Sequence, residues 1–237
     1  MVCWFDGPLA AFAVRATGCD AERDRIVSAA VVAQREPGAP LAVRRWLVSP
    51  GVPVPEGAAP AGLTGEQVLR RGRWPAPVVE EVAARLAELG ASGRPLAVLD
   101  APFGLTLLDR ETRRHRASPL AAYLAGAPLY VLDPLLLDRH LDRPRKGRRA
   151  APALWPLYGV RPPARSAAGE ARAALDLVRA VGRRFAGRLA RLEPPELHAL
   201  QRGWCGERAA RPWFALPGAG RAAEPVWPLR PVLPAAV

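Results

Sequence analysis

The sequence predicts an α/β fold, a three-layer arrangement in which a mixed sheet is flanked by helices, and three observations predict it. Two runs, Pro8-Leu9-Ala10-Ala11-Phe12-Ala13-Val14 and Ile26-Val27-Ser28-Ala29-Ala30-Val31-Val32, are almost wholly apolar, as strands covered on both faces are. Two later apolar runs, at 94–99 and 129–132, each end in an aspartate that opens a helical pattern, the mark of successive βα units. Of the 237 residues 50% are hydrophobic, which suffices for one sizeable core.

The elements follow in order. The first two strands are joined through Arg15-Ala16-Thr17-Gly18, and a third is expected over 41–48, where Val43, Trp46 and Val48 alternate imperfectly with Arg44, Arg45 and Leu47. A Pro/Gly-rich loop over 50–62 then leads to Thr64, which with Gln67 three residues on forms a capping-box pattern and starts a short helix. Val78, Val79, Val82, Ala83, Leu86 and Leu89 recur at helical spacing over 76–89, and Gly90 is expected to stop that helix. Asp100 is expected to cap a helix over 101–115, and Asp133-Pro134 to start one over 135–141. A basic loop spans 142–149, and a helix over 151–158 is weakened by Pro152 and Pro156. The longest pattern, 166–192, carries Ala167, Ala171, Ala174, Leu175, Val178, Val181, Phe185 and Leu189 along one side behind a Ser166 cap. A helix over 196–210 precedes the Pro/Gly/Ala-rich stretch 212–237, expected to lack regular structure, with Trp204, Trp213 and Trp227 pinning it to the body. This divides the chain into an α/β domain over 1–192 and an extension over 193–237, with no internal repeat.

Bulk properties restrict the function classes. No run reaches the roughly 18–20 apolar residues of a membrane span, and residues 1–10 lack a signal-peptide pattern, so a cytoplasmic protein without membrane contact is expected. Cys3, Cys19 and Cys205 are odd in number and widely spaced, which suits reduced structural thiols better than a disulfide framework or a zinc site. A net charge of +12 attracts polyanions such as nucleic acid; a G- and C-rich codon bias toward arginine would raise the charge equally.

A family resemblance is carried by four segments. The run Gly7 to Gly18 resembles the first motif of the DnaQ-like 3′→5′ exonucleases, an apolar strand bearing Asp-x-Glu-Thr and then Thr-Gly, with Ala13 and Arg15 at the two acidic positions and Thr17-Gly18 retained. The segment 97–108 resembles the second motif, with Asp100 at its asparagine and Gly104 at its metal-binding aspartate. Arg165-Ser166-Ala167-Ala168-Gly169-Glu170 resembles the third, His-x-Ala-x-x-Asp, and Ala61-Gly62-Leu63-Thr64 resembles the family's His-Gly-Ile-Thr loop. Stretches at 133–139, 145–149, 158–160 and 196–201 are similar to actinobacterial exonucleases of this DEDDh type, so the resemblance spans about Gly7 to Gln201.

The resemblance implies a ribonuclease H-like fold and, for its intact members, two-metal phosphodiester hydrolysis, in which carboxylates hold two cations about 4 Å apart. Mg²⁺ or Mn²⁺ would be the cofactor of an active protein, and Glu170 is the one retained candidate ligand. Arg165 stays protonated and cannot replace a histidine base, and Arg15 places a cation where a metal would sit. The substitutions imply a pseudo-exonuclease with no catalytic set intact, no required cofactor, and retained binding to a single-stranded DNA or RNA end. The binding candidates are Arg15, Thr17, Gly18, Phe103 and Arg165 in the motifs, and Arg145, Lys146 and Arg148 in the basic loop. Against these stand plain structural readings: cleft or surface arginines, a core phenylalanine and a solvated loop. A protein-interaction scaffold reusing the fold, with an unidentified protein partner, is the alternative. A residual metal-dependent exonuclease drawing on Asp6, Asp20, Asp24, Asp100 or Asp133 is the second alternative. His115, His140 and His198 share no ligand spacing and are expected to be structural.

Overall fold

The computed structural model describes residues 3–147, 149–209 and 227–232. Strands β1 (Leu9–Ala16), β2 (Ile26–Gln34) and β3 (Ala42–Leu47) form an antiparallel meander. Strands β4 (Leu96–Val98) and β5 (Val131–Leu132) add parallel on the other side of β1, giving the order β3-β2-β1-β4-β5. The helices, in chain order, are α1 (Gly65–Arg71), α2 (Pro75–Ala91), α3 (Ala101–Arg116), α4 (Leu120–Leu124), α5 (Pro134–Leu141), α6 (Ala151–Leu157), α7 (Ala167–Arg184), α8 (Ala186–Leu189) and α9 (Pro194–Ala209).

Strand alternation explains the three layers. Ala10 and Phe12 enter a core shared with α2, α3 and α4, whereas Leu9 and Ala11 enter a second core shared with α5, α6 and α7. Because both faces are covered, β1 and β2 need apolar residues at successive positions, which is why their sequences show no alternation. Gly182 permits α7 to pack close to the N-terminal segment, since a Cβ there would lie 2.7 Å from the Phe5 ring.

Several local expectations are corrected. Gly90 does not stop α2, which runs on to Ala91; the glycine is needed because a Cβ there would approach the Pro128 carbonyl oxygen to 2.9 Å. Asp100 does not cap α3: its backbone is left-handed, with φ 54°, and its side chain makes no capping bond. Asp133 takes that role, its Oδ2 accepting from the Ala101 amide at 3.0 Å while its Oδ1 accepts from the Leu135 amide at 2.9 Å. The pattern over 166–192 is broken at Phe185 into α7 and α8. Helix α4, a five-residue turn, had no sequence signal strong enough to be expected.

Beyond α7 the chain remains attached to the body. Helix α9 packs on β5, where Gln201 Oε1 accepts from the Asp133 amide at 2.8 Å and His198 Nδ1 accepts from the Val131 amide at 3.1 Å. Trp204 stacks on His140 with ring centroids 3.7 Å apart. Trp227 is buried against His198, and the Arg230 amide donates to Thr106 Oγ1 at 2.9 Å. Trp213 lies outside the described residues. Among those residues, no helix is long and apolar enough to cross a membrane.

Candidate functional site

The motif positions gather where β1 and β4 end and α3 and α7 begin. Ala13 and Arg15 lie on the α7 side of β1, and the β1–β2 register slips between Arg15 and Ala16, an irregularity that re-aims side chains. Ser166 caps α7 by accepting from the Gly169 amide at 3.0 Å, which fixes Glu170 in the first turn. There Arg15 Nη1 donates to Glu170 Oε1 in an ion pair. The other Arg15 nitrogens are also used: Nε donates to the Ala58 carbonyl at 3.2 Å and Nη2 to the Gly57 carbonyl at 2.6 Å. One guanidinium thus ties β1, the loop before α1, and α7 together. The pair is largely withdrawn from water, with side chains 14% and 27% exposed. Burial raises the Glu170 carboxyl from its ordinary value, and the Arg15 charge and hydrogen bond offset this in part.

A cleft of about 430 Å³ opens beside this pair, lined in part by Val14, Arg15, Thr17, Gly18, Gly57 and Glu170. Thr17 and Gly18 are committed to local structure. Thr17 Oγ1 donates to Asp24 Oδ1 at 2.7 Å and accepts from the Arg25 amide at 3.0 Å. Gly18 admits the Asp24 carboxylate, which a Cβ would approach to 2.5 Å. Arg165 is exposed, and among the described residues its side chain has no hydrogen bond or ion pair; its carbonyl accepts from the Ala61 amide at 2.7 Å and holds the loop against α7. Gly104 faces Val14 and Val98, and a Cβ there would sit at 3.7–3.8 Å from their methyl groups, an ordinary contact, so packing does not demand glycine. Phe103 is partly buried against the core beneath α2 and α3.

The basic loop lies elsewhere. Arg145 forms an ion pair with Asp138 and lies 3.3 Å from Asp142, while Arg149 donates to the Asp142 and Arg145 carbonyls at 2.6 Å, closing the end of α5. Lys146 is exposed, and Arg148 lies outside the described residues. Tyr158 donates to Asp138 at 2.8 Å and carries Arg184 5.4 Å above its ring, which places the loop near the C-terminal end of α7. Glu170 and Arg184 are separated along that helix by about 21 Å at 1.5 Å per residue. Arg145 and Lys146 therefore do not join Arg15 and Arg165 in one site.

The donor set does not fit a two-metal centre. Asp24 is taken up by Thr17 and the Asp20 amide, Asp20 accepts from the Glu22 amide, and Asp6 pairs with Arg183 toward the far end of α7. Asp133 is buried between α3 and α5, and burial pushes its carboxyl up to about 6. Among the described residues, no group of three or more His, Cys, Asp or Glu side chains is placed to hold a metal ion.

No protein-family model and no curated relative matches the chain. Solved structures do match it. Exonuclease I from Methylocaldum szegediense aligns with TM-score 0.58 at 19% identity, over 85% of this chain and 44% of that one. E. coli exonuclease I in complex with a 5cy-dA13 oligonucleotide aligns with TM-score 0.57 at 16% identity, over 77% and 42%. The fold is that of the aligned part of these exonuclease I structures. Its mixed five-stranded sheet with flanking helices is the ribonuclease H-like arrangement, and the chain spans under half the length of these exonuclease I structures. At such identities the likeness concerns the fold alone.

Within this fold, the acceptors of Arg15 and the bonds that Asp24 makes to Thr17 and the Asp20 amide lie beyond the sequence-based expectations. Backbone carbonyls such as those of Gly57 and Ala58 have no sequence signature. Asp24 did have a weak one, a carboxylate across a turn from Thr17-Gly18.

Proposed function

We propose that the chain is a degenerate, non-hydrolytic exonuclease homologue that binds single-stranded nucleic acid, DNA or RNA, without a metal. The observation that carries this reading is the Arg15–Glu170 ion pair, at acidic positions of the first and third motifs. A guanidinium there repels a divalent cation, and the carboxylate that remains is already bonded to it. Arg165, exposed beside the loop that borders the cleft, is the available phosphate contact, and the +12 charge supplies long-range attraction. Structures of the same fold include E. coli exonuclease I complexes with dT13 and with single-stranded DNA, which supports a strand as the ligand.

One observation favours the scaffold reading: every nitrogen of Arg15 is bonded within the protein, so among the described residues the floor of the cleft offers no free cation. Fluorescence anisotropy with a labelled single-stranded oligonucleotide, run over a salt series with and without EDTA, separates the two. The nucleic-acid reading expects saturable binding that weakens with salt, is indifferent to EDTA, and falls severalfold in Arg165→Ala. Absence of binding at the lowest salt would transfer the proposal to a protein partner.

A further inference from the structure

Away from the cleft, a cavity of about 630 Å³ lies between α7, the β2–β3 hairpin and residues 158–161. Arg172, Asp176, Arg179 and Arg183, spaced four, three and four apart, share one face of α7 and line it, and Arg161 joins them from across the cavity. Four guanidinium groups thus surround one space. Their compensation is incomplete: Arg183 pairs with Asp6 at 2.8 Å, and Arg172 lies 3.6 Å from Asp176. Arg161 is exposed and has no ion pair among the described residues.

Arg179 is the least compensated. It is 3% exposed, it donates to the Phe5 carbonyl and, at 3.0 Å, to the Gly7 carbonyl, and its Nε has no hydrogen-bond partner. No carboxylate among the described residues forms an ion pair with it. Burial, together with the neighbouring Arg183 charge, works against its protonated form, and the charges of Asp6 and Asp176 offset this only in part. A buried cation in a cavity lined by three more cations and one carboxylate, Asp176, is stabilised by a bound anion, and guanidinium groups match phosphate oxygens in planar, forked geometry. Pro40, Leu41 and Val160 give the lining an apolar part, beside the polar Gln34 and Tyr158, against which a sugar or base can rest.

We propose that this cavity is a phosphate-binding site for a phosphorylated ligand of mononucleotide size. It does not depend on the reading of the cleft. Isothermal titration of the full chain with adenosine 5′-monophosphate, adenosine and inorganic phosphate tests it, beside the double variant Arg172→Gln/Arg183→Gln and the charge-matched control Arg70→Gln/Arg71→Gln. Circular dichroism melting verifies that both variants are folded. The expected result is saturable binding of the monophosphate, competition by inorganic phosphate, no binding of adenosine, at least a tenfold loss in the first variant, and less than a twofold change in the control. No binding at millimolar monophosphate, equal binding of adenosine, or equal loss in both variants would overturn the site. A competing oligonucleotide distinguishes the source of the phosphate: displacement of the monophosphate, sensitive to Arg172→Gln/Arg183→Gln, assigns it to a strand terminus, and no displacement assigns it to a free nucleotide.

Discussion

Arg15 gives each of its nitrogens to a different acceptor, so its removal has consequences on three elements at once. Arg15→Ala leaves Glu170 without its partner in a largely buried setting and leaves two carbonyls unpaired, and a loss of roughly 1–3 kcal/mol is expected by urea denaturation. In the cycle with Glu170→Ala the two losses should be non-additive by about 0.5–3 kcal/mol, whereas additive losses would show that the pair does not hold the cleft together. Asp133 makes a second prediction at this scale. Its folded-state value of about 6 lies above the ordinary 3.8, so between those values the folded protein keeps a proton that the unfolded chain has released. The contribution of Asp133 to stability is therefore fully present below about pH 4 and is lost as pH rises through about 6, by on the order of 3 kcal/mol at most. Asp133→Asn should abolish that decline while losing one accepted amide bond, and urea midpoints compared across pH 4 to 7 read both effects; identical pH slopes in the two proteins would refute the assignment.

At the scale of elements, the attachment of residues 227–232 is open to direct test. Trp227 is buried in the core beneath α3, and Arg110 Nη2 donates to the Arg230 and Pro231 carbonyls at 3.2 and 2.7 Å, so the segment straps α3. Trp227→Ala should cost roughly 3–5 kcal/mol, read from denaturation midpoints, and an unchanged midpoint would show that the strap contributes nothing. What was legible here followed local rules. The apolar runs of β1 and β2, the capping box at Thr64 and Gln67, and the Ser166 cap all depend on residues within a few positions of one another. What was not legible depended on distant partners. The first amide of α3 finds its acceptor on Asp133, 32 residues away, and Arg15 finds carbonyls more than 40 positions along the chain. The motif positions Ala13, Arg15 and Glu170 could be placed beforehand because they ride on β1 and α7. The basic loop could not, since its distance from the cleft is set by the length of α7.

For the whole molecule, the strongest evidence is architectural: a sheet in the order β3-β2-β1-β4-β5, covered on both faces, aligns with exonuclease I over most of this chain. The positive charge is distributed over separate regions. Arg145 and Arg149 are engaged near the end of α5, Arg15 is engaged in the cleft, and the arginines along α7 border a cavity of their own. On the proposed reading, the Arg15–Glu170 pair stands where a metal centre would be and hydrolysis is lost with it. Incubation of a 3′-labelled single-stranded oligonucleotide with the purified chain and Mg²⁺ or Mn²⁺ tests this most directly. A strand of unchanged length is expected in both metals; metal-dependent shortening that disappears in Glu170→Ala would overturn the non-hydrolytic reading and point to a rearranged but working exonuclease.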